Sequence, residues 1–224
     1  MWWPQPCPHA GCPAPTGRAH VSLTRWRPAP AAYEDPASNS VIFDTIQLFP
    51  SFLPCSLAFS GVTLNATIND WQKQQKGRAT AQPLRLNLPL DNPGKRVTPQ
   101  KIGRTGVEFP TIRADRSGKP YRYVYANLAA NMNAGYYDAL TKMDLVTGRS
   151  LTWSVPGHYP GEPLFAADPD GLAEDDGVVM STVLDTNNSQ TYVLLLNASS
   201  FLPIAHVGPT PHVIPHGYHG RYFS

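Results

Sequence analysis

An all-β fold is what this sequence predicts, and three observations predict it. Apolar stretches of five to seven residues recur through the second half of the chain. Turn-forming pairs separate them: Thr147-Gly148, Asp176-Gly177 and Asn187-Asn188. Long segments with a 3.6-residue apolar period are absent. A sandwich, a barrel and a propeller all fit this pattern, and periodicity alone does not choose among them.

The elements follow in order. Val41 to Asp44 reads as a short strand. Phe49 to Ala58 is apolar but broken by prolines, and Asn69 to Lys76 is polar enough for an exposed helical turn. Leu84 to Leu88 alternates apolar and polar, as a half-buried strand does. Tyr121 to Tyr125 alternates with aromatics. Ala139 to Leu145 and Ser150 to Val155 read as two strands around a turn, where Gly148 tolerates positive φ. Val178 to Leu184 and Tyr192 to Leu196 form a second pair across Asn187-Asn188, and Ile204 to Val207 is the last strand. The strand with Lys142, the Asp144–Gly148 turn and the strand with Trp153 look like one propeller-blade hairpin.

Residues 1–31 carry no period of either kind, are rich in Pro, Ala, Arg and Trp, and hold no acidic residue. They are expected to be an unstructured or misassigned segment, with residues 32–224 as the folded part. Charged residues make up 15% of the chain and the net charge is +2, with no basic stripe, which argues against nucleic acid as a partner. No apolar run approaches the roughly 20 residues of a membrane span. Cys7, Cys12 and Cys55 form neither a disulfide framework nor a zinc knuckle and are expected to be reduced. Three Asn-x-Ser/Thr matches begin at Asn65, Asn187 and Asn197 and are expected to be chance matches.

The chemistry concentrates at the C-terminus. His212, His216 and His219 sit within eight positions, broken by Pro215 and Gly217. Imidazole is the commonest protein ligand for transition metals, so the cluster reads as a metal site or a solvated tail. In an extended chain His212 and His216 share one face and His219 the other. Glu108 and Glu162 are isolated acids among apolar or turn-forming neighbours. Each is either an ordinary turn acid or a buried carboxylate that needs a partner, such as the second N–H of a metal-bound histidine. The Glu174-Asp175-Asp176-Gly177 run lacks the spaced ligands of a calcium loop and reads as a solvated turn. His158 and His206 read as structural or surface residues.

Five motifs then fall in order: Val107-Glu-Phe-Pro110, Gly118-Lys-Pro-Tyr121, Tyr159-Pro-Gly-Glu-Pro-Leu-Phe165, Glu174-Asp-Asp-Gly-Val-Val179 and His219-Gly220. From about Tyr33 onward the chain resembles the C-terminal half of the carotenoid cleavage oxygenases, which include the β-carotene oxygenases and the retinoid isomerase of the retinal pigment epithelium. The resemblance implies a partial seven-bladed β-propeller, here its C-terminal blades, three in number. It implies an iron(II) cofactor, Fe(2+), held by four histidines with three glutamates behind them. His219 would be the last iron ligand, Glu108 and Glu162 two of those glutamates, and His212 and His216 bystanders. The motif ahead of Tyr33 departs from the family, because the expected third histidine position is Pro28. The other ligands would lie upstream. A single imidazole does not hold iron(II), so the chain alone is expected to be truncated, unstable and inactive.

The implied activity is oxidative cleavage of a polyene or stilbenoid double bond to two carbonyl products. The implied partners are dioxygen and a carotenoid, apocarotenoid or stilbenoid substrate, with a peripheral membrane contact through sequence upstream. The alternatives are a retinoid-type isomerohydrolase of the same family and a non-catalytic propeller fragment. The location stays open between cytoplasm and plastid, with or without membrane association.

Overall fold

The computed structural model describes residues 32–48, 81–92, 97–131, 137–215, 219–220 and 222. The segments 49–58 and 69–76, the three cysteines, Asn65 and His216 lie outside them. The described residues form three antiparallel sheets in chain order. Sheet one holds β1 (Ala32–Asp35), β2 (Ser40–Leu48), β3 (Ala81–Pro89) and β4 (Gln100–Lys101). Sheet two holds β5 (Val107–Thr111), β6 (Tyr123–Leu128), β7 (Ala139–Asp144) and β8 (Ser150–Trp153). Sheet three runs from β10 (Leu164–Ala167) through β11 (Gly177–Asp185) and β12 (Gln190–Asn197) to β13 (Pro203–Val207). The short β9 (His158–Pro160) joins the same side of β11 as β10, farther along that strand. The first strand of sheet three is therefore one edge interrupted at Gly161-Glu162-Pro163.

The expected hairpins form. Asp144 closes the β7–β8 turn by accepting from the Val146 and Thr147 N–H groups, and Gly148 takes φ +71°. Asp185 closes the β11–β12 turn in the same way, accepting from Asn187 and Asn188. Asn197 shapes the turn after β12 through Ser199 and Ser200. The alternation expected of Leu84 to Leu88 does not govern β3. That strand is buried from Ala81 to Leu84 and opens to solvent at Asn87 and Leu88, so depth changes along the strand and not across it.

Strand β6 explains the packing. It is buried on both faces, and its alternating side chains serve two interfaces. Val124, Ala126 and Leu128 join Val107, Ile112, Tyr121 and Met143 in one core cluster, against which Tyr33 of sheet one packs. Tyr125, with Leu140 and Trp153, joins the other cluster with Val179, Val183, Leu194, Leu196 and Phe201 of sheet three. Leu194 and Leu196 are fully buried there, each contributing about 2 kcal/mol of apolar burial.

Polar ties cross both interfaces. Within sheet one, Asp44 accepts from Arg85 Nε and Nη2 at 2.8 and 2.7 Å, and it reaches toward sheet two by accepting from the Tyr121 hydroxyl. Between sheets two and three, the buried Lys142 ammonium donates to Asp175 at 2.6 Å and to the Ser199 carbonyl at 2.8 Å. Glu174 accepts from the Arg122 and Tyr123 N–H groups, both at 2.8 Å. The Glu174–Asp176 run is therefore not the solvated turn its composition implies. Two of its carboxylates are held by donors from the neighbouring sheet. His158 and His206 are structural: the first lies 2.9 Å from the Tyr192 hydroxyl, and the second stacks on that ring at 4.8 Å.

Candidate metal-ligand site

Glu108 and Glu162 occupy matching places. Each lies at a break in the regular pairing of the first strand of its sheet. On β5 the ladder shifts between Glu108 and Thr111, with Phe109 at φ +48°. On sheet three Glu162 fills the gap between β9 and β10. The prolines flanking these acids, Pro110 and Pro163, cannot donate to a ladder, which is why regular pairing stops there.

At Glu162 the backbone is tightly held. Gly161 donates to the Thr182 carbonyl at 2.7 Å, and its own carbonyl accepts from Ser181 Oγ at 2.8 Å. A Cβ on Gly161 would meet Thr182 Oγ1 at 2.9 Å, so the close approach requires glycine. The Glu162 side chain is only 7% exposed. The C-terminal segment brings two groups to it. His219 Nδ1 lies 3.4 and 3.3 Å from the two carboxylate oxygens, and the Gly220 N–H donates to Oε2 at 2.9 Å. A carboxylate only accepts, so this contact places the imidazole proton on Nδ1. Metal coordination by His219 would then fall to Nε2.

Glu108 sits beside the same place. Its following residue, Phe109, meets the His219 ring edge-on at 5.5 Å and the Tyr137 ring at 5.7 Å. No described residue donates to Glu108 Oε1, which is buried. Burial pushes this carboxyl up to about 7, and a hydrogen bond from the Phe109 backbone offsets only part of the shift.

The structure thus brings Glu162, His219 and the Glu108–Phe109 corner together. His212 lies apart and exposed, with its carbonyl accepting from Thr210. Among the described residues no group of three or more His, Cys, Asp or Glu is arranged to hold an ion. The side chains fit one histidine of an iron site and its supporting carboxylate, and the remaining ligands would come from outside the described residues. Sequence reasoning missed Asn127, Phe109 and Ser181. The visible signal for Asn127 is an amide inside the apolar run Tyr123–Leu128.

Three stacked meander sheets, with a carboxylate-backed histidine at the broken first strand of one, define part of a β-propeller. A family model for the retinal pigment epithelial membrane protein, RPE65, matches residues 30–224, and the chain belongs to that carotenoid oxygenase family. It is 42% identical over 114 residues to the torulene dioxygenase of Fusarium fujikuroi, covering 50% of this chain and 19% of that one. It is 32% identical over 162 residues to the carotenoid isomerooxygenase of Galleria mellonella, covering 68% and 30%. Among solved structures it is similar to an ACO/RPE65 chimera, with TM-score 0.69 and 26% identity over 86% of this chain and 38% of that chain. Cobalt-substituted Synechocystis apocarotenoid oxygenase gives TM-score 0.68 and 25% identity, covering 85% and 37%. The chain therefore spans well under half the length of these relatives. Relatives are named as chloroplastic and mitochondrial enzymes. Among the described residues no helix is long and apolar enough to cross a membrane.

Proposed function

We propose that this chain forms part of a non-haem iron(II) dioxygenase that cleaves a carbon–carbon double bond of a carotenoid or apocarotenoid to two carbonyl products. The observation that carries this reading is the His219–Glu162 contact at 3.3 Å, in a chain of this family. Iron(II), when bound, supplies the binding and activation of dioxygen. His219 would hold it through Nε2. Glu162 keeps the proton on Nδ1, fixes the ring plane and raises the basicity of the ligand. The Gly220 N–H anchors the same carboxylate, so the ring and its support move together. Glu108 would accept from a second imidazole supplied from outside the described residues, a role that its buried Oε1, without a donor among the described residues, supports. Phe109 sets its ring edge against His219, and Tyr137 packs on Phe109 in turn.

The names of the relatives support the substrate class: one acts on torulene and others are carotenoid-cleaving. The test is a chimera in which residues 32–224 replace the matching part of a family dioxygenase. Aldehyde products from an apocarotenoid are expected, with loss of bound iron and product in His219→Ala. A chimera whose iron content is unchanged by His219→Ala would overturn the ligand role. Isomerised alcohol without aldehyde would instead make the site an isomerohydrolase. The 224-residue chain alone, titrated anaerobically with iron(II), is expected to bind well below one equivalent. Stoichiometric iron would show that it carries the remaining ligands itself.

A further inference from the structure

Asn127 belongs to none of the motifs above, yet it touches both halves of the site. On β6 it pairs in register with Glu108 of β5, so the two side chains share one face of sheet two. That face looks toward sheet three, as Tyr125 two residues earlier shows by packing on Phe165. The Asn127 side chain is fully buried and crosses the interface. Its Nδ2 donates to the Pro160 carbonyl at 2.8 Å and to the Gly161 carbonyl at 3.0 Å. Both partners are acceptors, so the amide orientation follows from chemistry. These are the two carbonyls immediately before Glu162. Its Oδ1 has no partner among the described residues, so the amide's hydrogen bonding there runs through its donors.

We propose that Asn127 is a positioning residue, which spans from the Glu108 strand to the Pro160-Gly161 peptide and thereby aims the Glu162 carboxylate at His219 Nδ1. The proposal rests on the His219–Glu162 reading above. Without the two donors, Pro160 and Gly161 lose their tie to sheet two. Gly161 then keeps only its Thr182 and Ser181 bonds within sheet three. Glu162 is the next residue, and its contact with the half-exposed His219 is already long at 3.3 Å. A small backbone shift is enough to break it.

The test is the tautomer of His219 in the 15N-labelled full chain, read by long-range 1H–15N correlation near pH 8. The Nδ1–H form is expected to dominate. Glu162→Gln should reduce its ratio to the Nε2–H form, and Asn127→Ala and the similarly sized Asn127→Asp should do so about threefold to tenfold with Glu162 intact. Lys142→Met cuts another tie between the same sheets. It should lower the melting temperature and leave the ratio unchanged. A folded Asn127 variant with the wild-type ratio, beside a shifted Glu162→Gln, overturns the proposal alone. An unshifted Glu162→Gln overturns the His219–Glu162 reading beneath it. Loss of fold in both Asn127 variants would also overturn it, by making Asn127 a scaffold residue.

Discussion

Glu108 and Glu162 stand at equivalent breaks in neighbouring sheets, and they differ in what meets them. Glu162 receives His219 and the Gly220 N–H. Glu108 receives no donor at Oε1, and burial raises its carboxyl to about 7. Local sequence is alike at the two places, an acid followed within two residues by proline. Among the described residues, one carboxylate meets an imidazole and a backbone N–H, and the other only the Phe109 backbone. Donor supply, more than depth, separates the two.

The largest expected effect removes the frame both acids share. Lys142→Met leaves Asp175 buried without its cation, which should cost about 3–5 kcal/mol in urea denaturation. The next concerns the acid whose Oε1 has no donor among the described residues. The Glu108 carboxyl rises from its ordinary 4.5 to about 7 on folding, so the folded chain binds the extra proton between those values. Its contribution is fully present below 4.5, declines as pH rises through that window, and is lost above about 7. Glu108→Gln should match wild type at pH 4 and be more stable by up to about 3 kcal/mol at pH 8. Equal melting profiles across that range would erase the contrast between the acids.

Smaller changes sharpen it. Glu162→Gln replaces a charge-assisted contact by a neutral one, and at a half-exposed histidine this should cost about 1 kcal/mol. Exchange of the Gly220 amide should speed up accordingly. The smallest effect falls at Phe109, whose φ of +48° is one that side chains rarely adopt. Phe109→Gly should be more stable than Phe109→Ala by about 1 kcal/mol, the reverse of the order at a regular strand position.

How much of this was legible follows from the same irregularities. The hairpins β7–β8 and β11–β12 show themselves because alternation and Gly or Asn turns act over neighbouring residues. Strands β5, β9 and β10 do not. Pro110, Pro160 and Pro163 and a register shift erase the two-residue period there. The site residues lie at those breaks, so periodicity is silent where the chemistry is. His219, Glu108 and Glu162 stand out in the sequence as a clustered histidine and two isolated acids, and their separate roles are implied by the family resemblance alone. Asn127 and Ser181 act through a neighbouring sheet or strand, and that pairing is not written in local sequence. The Glu174–Asp176 run misled for a related reason: its donors are Arg122, Tyr123 and Lys142, far away in the chain.

The meander order also separates contacts that are local along the chain from one that is not. In sheets two and three every ladder joins segments that are near neighbours along the chain, so each sheet can close short loops early. The Glu162–His219 contact spans 57 residues and depends on a segment beyond the last strand. With His219 half-exposed, this corner is expected to open more readily than the sheets behind it, and the Gly220 amide to exchange faster than those of β11 and β12.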